Sequence, residues 1–197
     1  SSWNAGVEGD TDDRAIQALR KQLMKNYACY LFFSSGTPLM LGGDEFARSQ
    51  RGNNNAYCQD NEISWFNWAD LHRHGDLFEF FRKAIAFTRR FAVLQHRKFF
   101  LGADLDDDSV PHLSWCAPHL GRPKWDDETV RTLCLQLDTS EDGIEASAER
   151  LFFILNGDVV SRWVTLPPLV RRTQLQITEC LDQRGQGHPS LPENLPT

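Results

Sequence analysis

The chain has 197 residues, 41% of them hydrophobic, and carries a formal charge of −6 with a pI near 5.5. That length suits one large domain or two small ones, each with a real core, and the acidic balance leaves no basic face for a nucleic-acid backbone. A polymeric partner is therefore expected to be neutral. The longest apolar run, Tyr27 to Phe33, falls far short of the roughly 20 residues that cross a bilayer, so neither a membrane nor a secretory leader is expected. Five scattered cysteines with no C-x-x-C pair argue against a disulfide framework or a zinc site and for a reducing cytoplasm. The opening "SSWNAGVEGD" has no methionine and no element start, which points to a piece of a longer chain.

From Asp10 or Thr11, either one an acceptable N-cap, apolar residues recur at Ile16, Leu19, Leu23, Tyr27 and Leu31, the spacing of one helical face. Gly36 and Pro38 in "SSGTP" stop this helix. "TPLMLGG" then reads as a short strand buried on both faces, and helix followed by buried strand indicates parallel α/β architecture. Residues 42–68 show neither helical nor strand periodicity. The next helix, "GDLFEFFRKAIAFTRRFAVLQ", sets Glu79, Arg82, Lys83, Arg89 and Arg90 against an apolar side of Phe78, Phe81, Ile85 and Ala92.

Beyond about Lys98 the chain alternates in short segments. "TLCLQL" places Leu133, Leu135 and Leu137 on one face, and "RLFFIL" is apolar on both, as in a central strand. Asn156-Gly157 signals a hairpin leading into "SRWVTLP", with "LQIT" as a further strand. "DLDDDS" and "SEDGIEAS" read as solvated loops and the tail from Arg184 as frayed.

Several patterns invite a chemical reading. Glycoside hydrolysis with retention needs two carboxyl groups about 5 Å apart. Neighbouring residues on a strand point to opposite faces, so Asp44 and Glu45 do not form such a dyad; a carboxylate ordering the loop that follows is the simpler role. Asn53, Asn54 and Asn55 both donate and accept hydrogen bonds, as sugar hydroxyls require, and Tyr57, Trp65 and Trp68 offer flat apolar faces. A structural turn with core aromatics explains the same residues. His72 and His74 lack a partner ligand, and Cys58 has no histidine nearby in sequence to make a thiolate. No dinucleotide, P-loop, G-x-S-x-G or H-E-x-x-H pattern is present, and no cofactor or metal is expected.

Four stretches, "SWNAGVEG" at 2–9, "GTPLMLGGDE" at 36–45, "GNNNAYCQDN" at 52–61 and "ISWFNW" at 63–68, resemble the glycogen debranching and isoamylase branch of the α-amylase family. The resemblance weakens through the second helix and "HLSWCAPHLGRPKW" and fades after about residue 166. It implies the last part of a (β/α)₈ TIM barrel over 1–97 and a C-terminal antiparallel β-sandwich domain over 98–197. Residues 10–35 would match the helix after the seventh barrel strand, 37–41 the eighth strand, 42–70 its loop and 76–95 the final helix. The implied activity is hydrolysis of α-1,6 branch linkages in glycogen or limit dextrin, and the implied partner is that branched α-glucan. The family's catalytic carboxylates belong to strands before "SWNAGVEG", so no catalytic residue maps here and the chain alone is expected to be inactive. By resemblance, Asn54, Asn55, Tyr57 and Asp60 contact the sugar. The alternative is a non-hydrolytic glycan-binding protein, or the partner of a split barrel.

Overall fold

A computed structural model describes residues 3–95, 100, 102, 112–138, 150–158 and 160–168. The described residues contain three α-helices and one three-stranded antiparallel sheet. The chain divides into two compact units, with the change at Thr88 and Arg89.

In the first unit, helix α1 spans Arg14–Phe33. Its N-cap is Asp13 rather than Asp10 or Thr11: the Asp13 carboxylate accepts from the Ala15 and Ile16 amides at 2.8 and 3.3 Å. Thr11 acts one step earlier, its hydroxyl accepting from the Asp13 amide. The opening segment is fastened to this helix by Arg20, whose guanidinium donates to the carbonyls of Asn4, Val7 and Gly9. The charged fork satisfies three carbonyls of a segment that has no ladder of its own.

The face that α1 buries differs from the expected stripe. Ala28 and Phe32 are the buried residues, with Met24 and Leu31 packed beside them, while Tyr27 stays 67% exposed. Their partner is helix α3, Gly75–Arg90, which buries Leu77, Phe81 and Ala84. Phe78 and Ile85, expected inside, lie on the margin at 39% and 38% exposure. Phe32 and Phe81 meet edge to face at 5.8 Å, the arrangement the ring quadrupoles favour. Thr88 donates its hydroxyl to the Phe32 and Ala84 carbonyls, both at 3.1 Å, which ties the C-terminal ends of the two helices. At the other end Asp76, in the first turn of α3, faces Lys21 and Lys25 of α1 at 2.9 and 3.9 Å. The polar stripe of α3 is as expected, with Glu79 paired to Arg82 and Lys83. This helix ends at Arg90, and Ala92–Gln95 forms a separate 3₁₀ turn.

The strand expected over residues 37–41 is not formed; the backbone is irregular and Leu39 is 91% exposed. A strand needs a neighbour for its amides and carbonyls, and among the described residues no strand precedes Leu113.

The second unit contains β1 (Leu113–Cys116), β2 (Thr132–Asp138) and β3 (Arg150–Asn156), in that spatial order. The register pairs Trp115 with Leu135 and Leu135 with Phe153, so one face carries the leucines of β2 as their alternation indicates. β2, not β3, is the central strand of the three. Asp138 is buried and pairs with Arg150 directly across the ladder. Asn156-Gly157 does not open a hairpin. The Asn156 side chain accepts from the Thr132 hydroxyl at 2.8 Å, and the Gly157 amide donates to the Arg131 carbonyl. Residues 161–168 run without regular structure. "DLDDDS", "SEDGIEAS", "LQIT" and the tail lie outside the described residues.

Two outcomes test the helix packing. Leu77→Ala, at a side chain with 0% exposure, should cost about 2–5 kcal/mol in urea unfolding followed by helical circular dichroism. Desolvation acts against Asp76, but the Lys21 hydrogen bond and the charges of Lys21 and Lys25 hold its carboxyl below the ordinary range. A lowered folded-state pKa stabilises above the unfolded value and is lost as pH falls through the folded one. The helix pair should therefore weaken on acidification below about pH 4, and Asp76→Asn should flatten that part of the profile.

Candidate functional site

The segment between α1 and α3 begins with a tight turn. Gly43 has φ of +102° and leads into a 3₁₀ turn over Asp44–Phe46, after which Ala47 is again left-handed. Glu45 curls back to accept from the Gly43 amide at 2.9 Å, so its carboxylate orders the turn. Asp44 remains at the surface, where desolvation by its neighbours, with Glu45 beside it, pushes its carboxyl above the ordinary range against the Leu41 backbone and Arg48. The two acidic groups therefore play unlike parts: Glu45 closes the turn, while Asp44 stays at the surface within reach of its charge.

From this turn Arg48 reaches across the loop. One Nη donates to the Ser64 carbonyl at 2.7 Å and the other to Gln50 Oε1 at 3.4 Å, while the guanidinium lies 5.2 Å from the centre of Phe66. Phe66 in turn meets Phe46 and Trp68 at 6.1 and 5.7 Å. This small aromatic cluster, with Phe46 buried, anchors both ends of the loop. Short helix α2, Ala69–Arg73, follows, and His74 joins it to α3.

Between the anchors the asparagines build the turn themselves. Asn53 Oδ1 accepts from the Asn55 amide and Asn55 Oδ1 from the Tyr57 amide, two successive turns in which a side chain replaces a backbone acceptor. Asn61 does the same for Ile63. Gln50 donates to the Asn53 carbonyl and Ser64 to the Ala56 carbonyl. The structural explanation of the run thus holds for Asn53 and Asn55. Asn54 is exposed and makes no side-chain hydrogen bond among the described residues.

Tyr57 stands 83% exposed at the rim. Asp60 accepts from the Trp65 indole at 2.7 Å, which fixes the carboxylate and leaves the other oxygen open. The structure thus brings Asn54, Asn55, Tyr57 and Asp60 onto one ordered loop. Arg48, Gln50 and Ser64, which hold it, escaped the sequence reading because their contacts join residues up to 16 positions apart with no periodic signal. Among the described residues no three of His, Cys, Asp and Glu converge as a metal site, and no helix is long and apolar enough to cross a membrane.

No family model matches the chain. It is 45% identical over 118 residues to a glycogen operon protein GlgX homologue of Mycobacterium tuberculosis, a match that covers 59% of this chain and 16% of that protein. It is 36% identical over 140 residues to a glycogen debranching enzyme of Dickeya chrysanthemi, covering 71% of this chain and 20% of the enzyme. Against the chloroplastic isoamylase 1 of Arabidopsis thaliana it is 29% identical over 203 residues, covering 98% of this chain and 23% of the relative. The chain therefore spans less than a quarter of the length of these relatives.

Arg48→Ala should remove the bond to the Ser64 carbonyl while leaving the helices intact. Loss of one charge-assisted bond, about 1.5–3 kcal/mol, corresponds to roughly 10- to 100-fold faster amide exchange. The acceleration should appear at Ser64 and Trp65 and not along α3.

Proposed function

We propose, from the premise that this chain is homologous to the glycogen debranching and isoamylase family of glycoside hydrolases, that it is the C-terminal portion of a debranching enzyme. In this reading residues 1–97 complete a (β/α)₈ barrel whose eighth strand is 37–41, and residues 98–197 form a β-sandwich domain. The irregular backbone of 37–41, with Leu39 and Leu41 exposed and Met40 packed on the helix pair, supports it, since a barrel strand takes its form from neighbours on both sides. The substrate is a branched α-glucan, and the reaction is hydrolysis of its α-1,6 linkage with retention.

One observation carries the proposal: a long loop, pinned at its base by Arg48 and an aromatic cluster, presents Asn54, Tyr57 and Asp60 outward. In a (β/α)₈ enzyme, loops at the C-terminal ends of the strands build the cleft. Asn54 and Asn55 offer amide donors and acceptors to sugar hydroxyls, Tyr57 a flat face to a pyranose ring, and Asp60 a fixed acceptor. Their role is to hold the sugar so that carboxylates elsewhere in the enzyme act on the bond. Asp44 and Glu45 take neither catalytic role, and the chain by itself is inactive.

Two measurements test this. The isolated chain should release no reducing sugar from limit dextrin above a heat-killed control; activity lost on mutating Asp44 or Glu45 would refute the reading. In a chimera where this chain replaces the matching region of the Dickeya enzyme, Tyr57→Ala or Asn54→Ala should lower kcat/KM at least tenfold with the thermal midpoint nearly unchanged. A midpoint drop of several degrees with full activity in the remaining folded enzyme assigns these residues to the structure of the loop.

A further inference from the structure

β1 and β2 place two cysteines opposite one another. Cys116 and Cys134 are register partners in the antiparallel ladder, so their side chains leave the same face. Such partners have Cα atoms about 4.5–5.5 Å apart, inside the window of about 4.4–6.8 Å that a disulfide accepts. The two thiols are unbridged. Their access to solvent differs: Cys134 is fully buried and Cys116 only partly. We propose that Cys116 and Cys134 form a redox-responsive pair that a low-molecular-weight disulfide, such as oxidised glutathione, converts to a cross-strand bridge stapling the four-residue β1 onto the sheet.

The chemistry proceeds in two exchanges. Cys116 loses its proton, and its thiolate attacks one sulfur of the oxidant; the oxidant's S–S bond breaks, releasing one glutathione thiolate that takes up the proton. Cys134 then loses its proton and attacks the Cys116 sulfur, expelling the second glutathione. Two protein thiols are oxidised and one small disulfide is reduced to two thiols. Burial pushes both thiols above their ordinary range, Cys134 to about 11, so the exchange is slow at neutral pH and accelerates with the thiolate fraction. The bridge encloses residues 117–133, a loop long enough for the constraint on the unfolded chain to raise the thermal midpoint by roughly 10 °C.

The full chain is incubated with oxidised glutathione at pH 8.5, quenched with N-ethylmaleimide and mapped by mass spectrometry without reduction. A Cys116 to Cys134 linked peptide, reversed by dithiothreitol and accompanied by the rise in midpoint, is expected. Cys134→Ser should stop at a glutathione adduct on Cys116, and Cys116→Ser should leave Cys134 unmodified. Exposed Cys58 reports that the oxidant is active. A wild-type chain that keeps glutathione on Cys116 without linkage, or that reacts at Cys58 while the pair stays reduced, overturns the bridge. A linked chain with an unchanged midpoint overturns the stapling.

Discussion

The contact of Leu77 and Phe81 with Ala28 and Phe32 is the constraint on which the first unit depends. Burying these side chains fixes α1 against α3, and the polar pairs at either end, Asp76 with two lysines and Thr88 with the Phe32 carbonyl, only set the alignment. Because α1 ends at Phe33 and α3 starts at Gly75, this packing also fixes both ends of everything between. The loop that carries Asn54, Tyr57 and Asp60 can therefore spend its own side chains on internal turns. Its order comes from closure at the base, where Arg48 and the aromatic cluster of Phe46, Phe66 and Trp68 hold it, and from those turns.

The second unit obtains its order differently. Its face with Leu137 and Leu151 is apolar, whereas the opposite face buries Thr132, Cys134 and Asp138. A buried carboxylate needs a partner, and the register supplies Arg150 at the facing position. A shift of one residue would separate that pair and turn the leucine row over, so the polar face helps to select a single pairing.

Much of this was legible from residue spacing, in proportion to how local each cause is. Helices α1 and α3 announced themselves by their apolar recurrence, β2 by alternation, and β3 by a short run apolar on both faces. Which face each helix buries was legible only in part: Phe81 is buried and Leu31 packs on the core as expected, but the centre of each face is displaced. In α3 the core runs through Leu77 rather than Phe78, a step of one residue and about 100° around the axis that depends on where α1 lies. β1 is only "LSWC", too short to alternate visibly. Asn156-Gly157 misled because the Asn156 side chain is engaged by Thr132 on the neighbouring strand. Composition marked 42–68 as the loop of interest, and the turn-forming role of asparagine is local enough to anticipate. The reach of Arg48 to Ser64 is not, since it is set by the turn that aims the side chain.

That turn has a consequence for how the sequence can drift. A Cβ built on Gly43 would lie 2.6 Å from Arg48 Cδ and 2.7 Å from Arg48 Cβ, and the φ of +102° already disfavours any side chain. The Arg48 Cβ cannot swing away, because it is fixed to the backbone that the turn defines. Shortening Arg48 removes the Cδ contact but neither the Cβ contact nor the φ, so it does not make room for a side chain at 43. Glycine at 43 should therefore persist whichever non-glycine residue stands at 48.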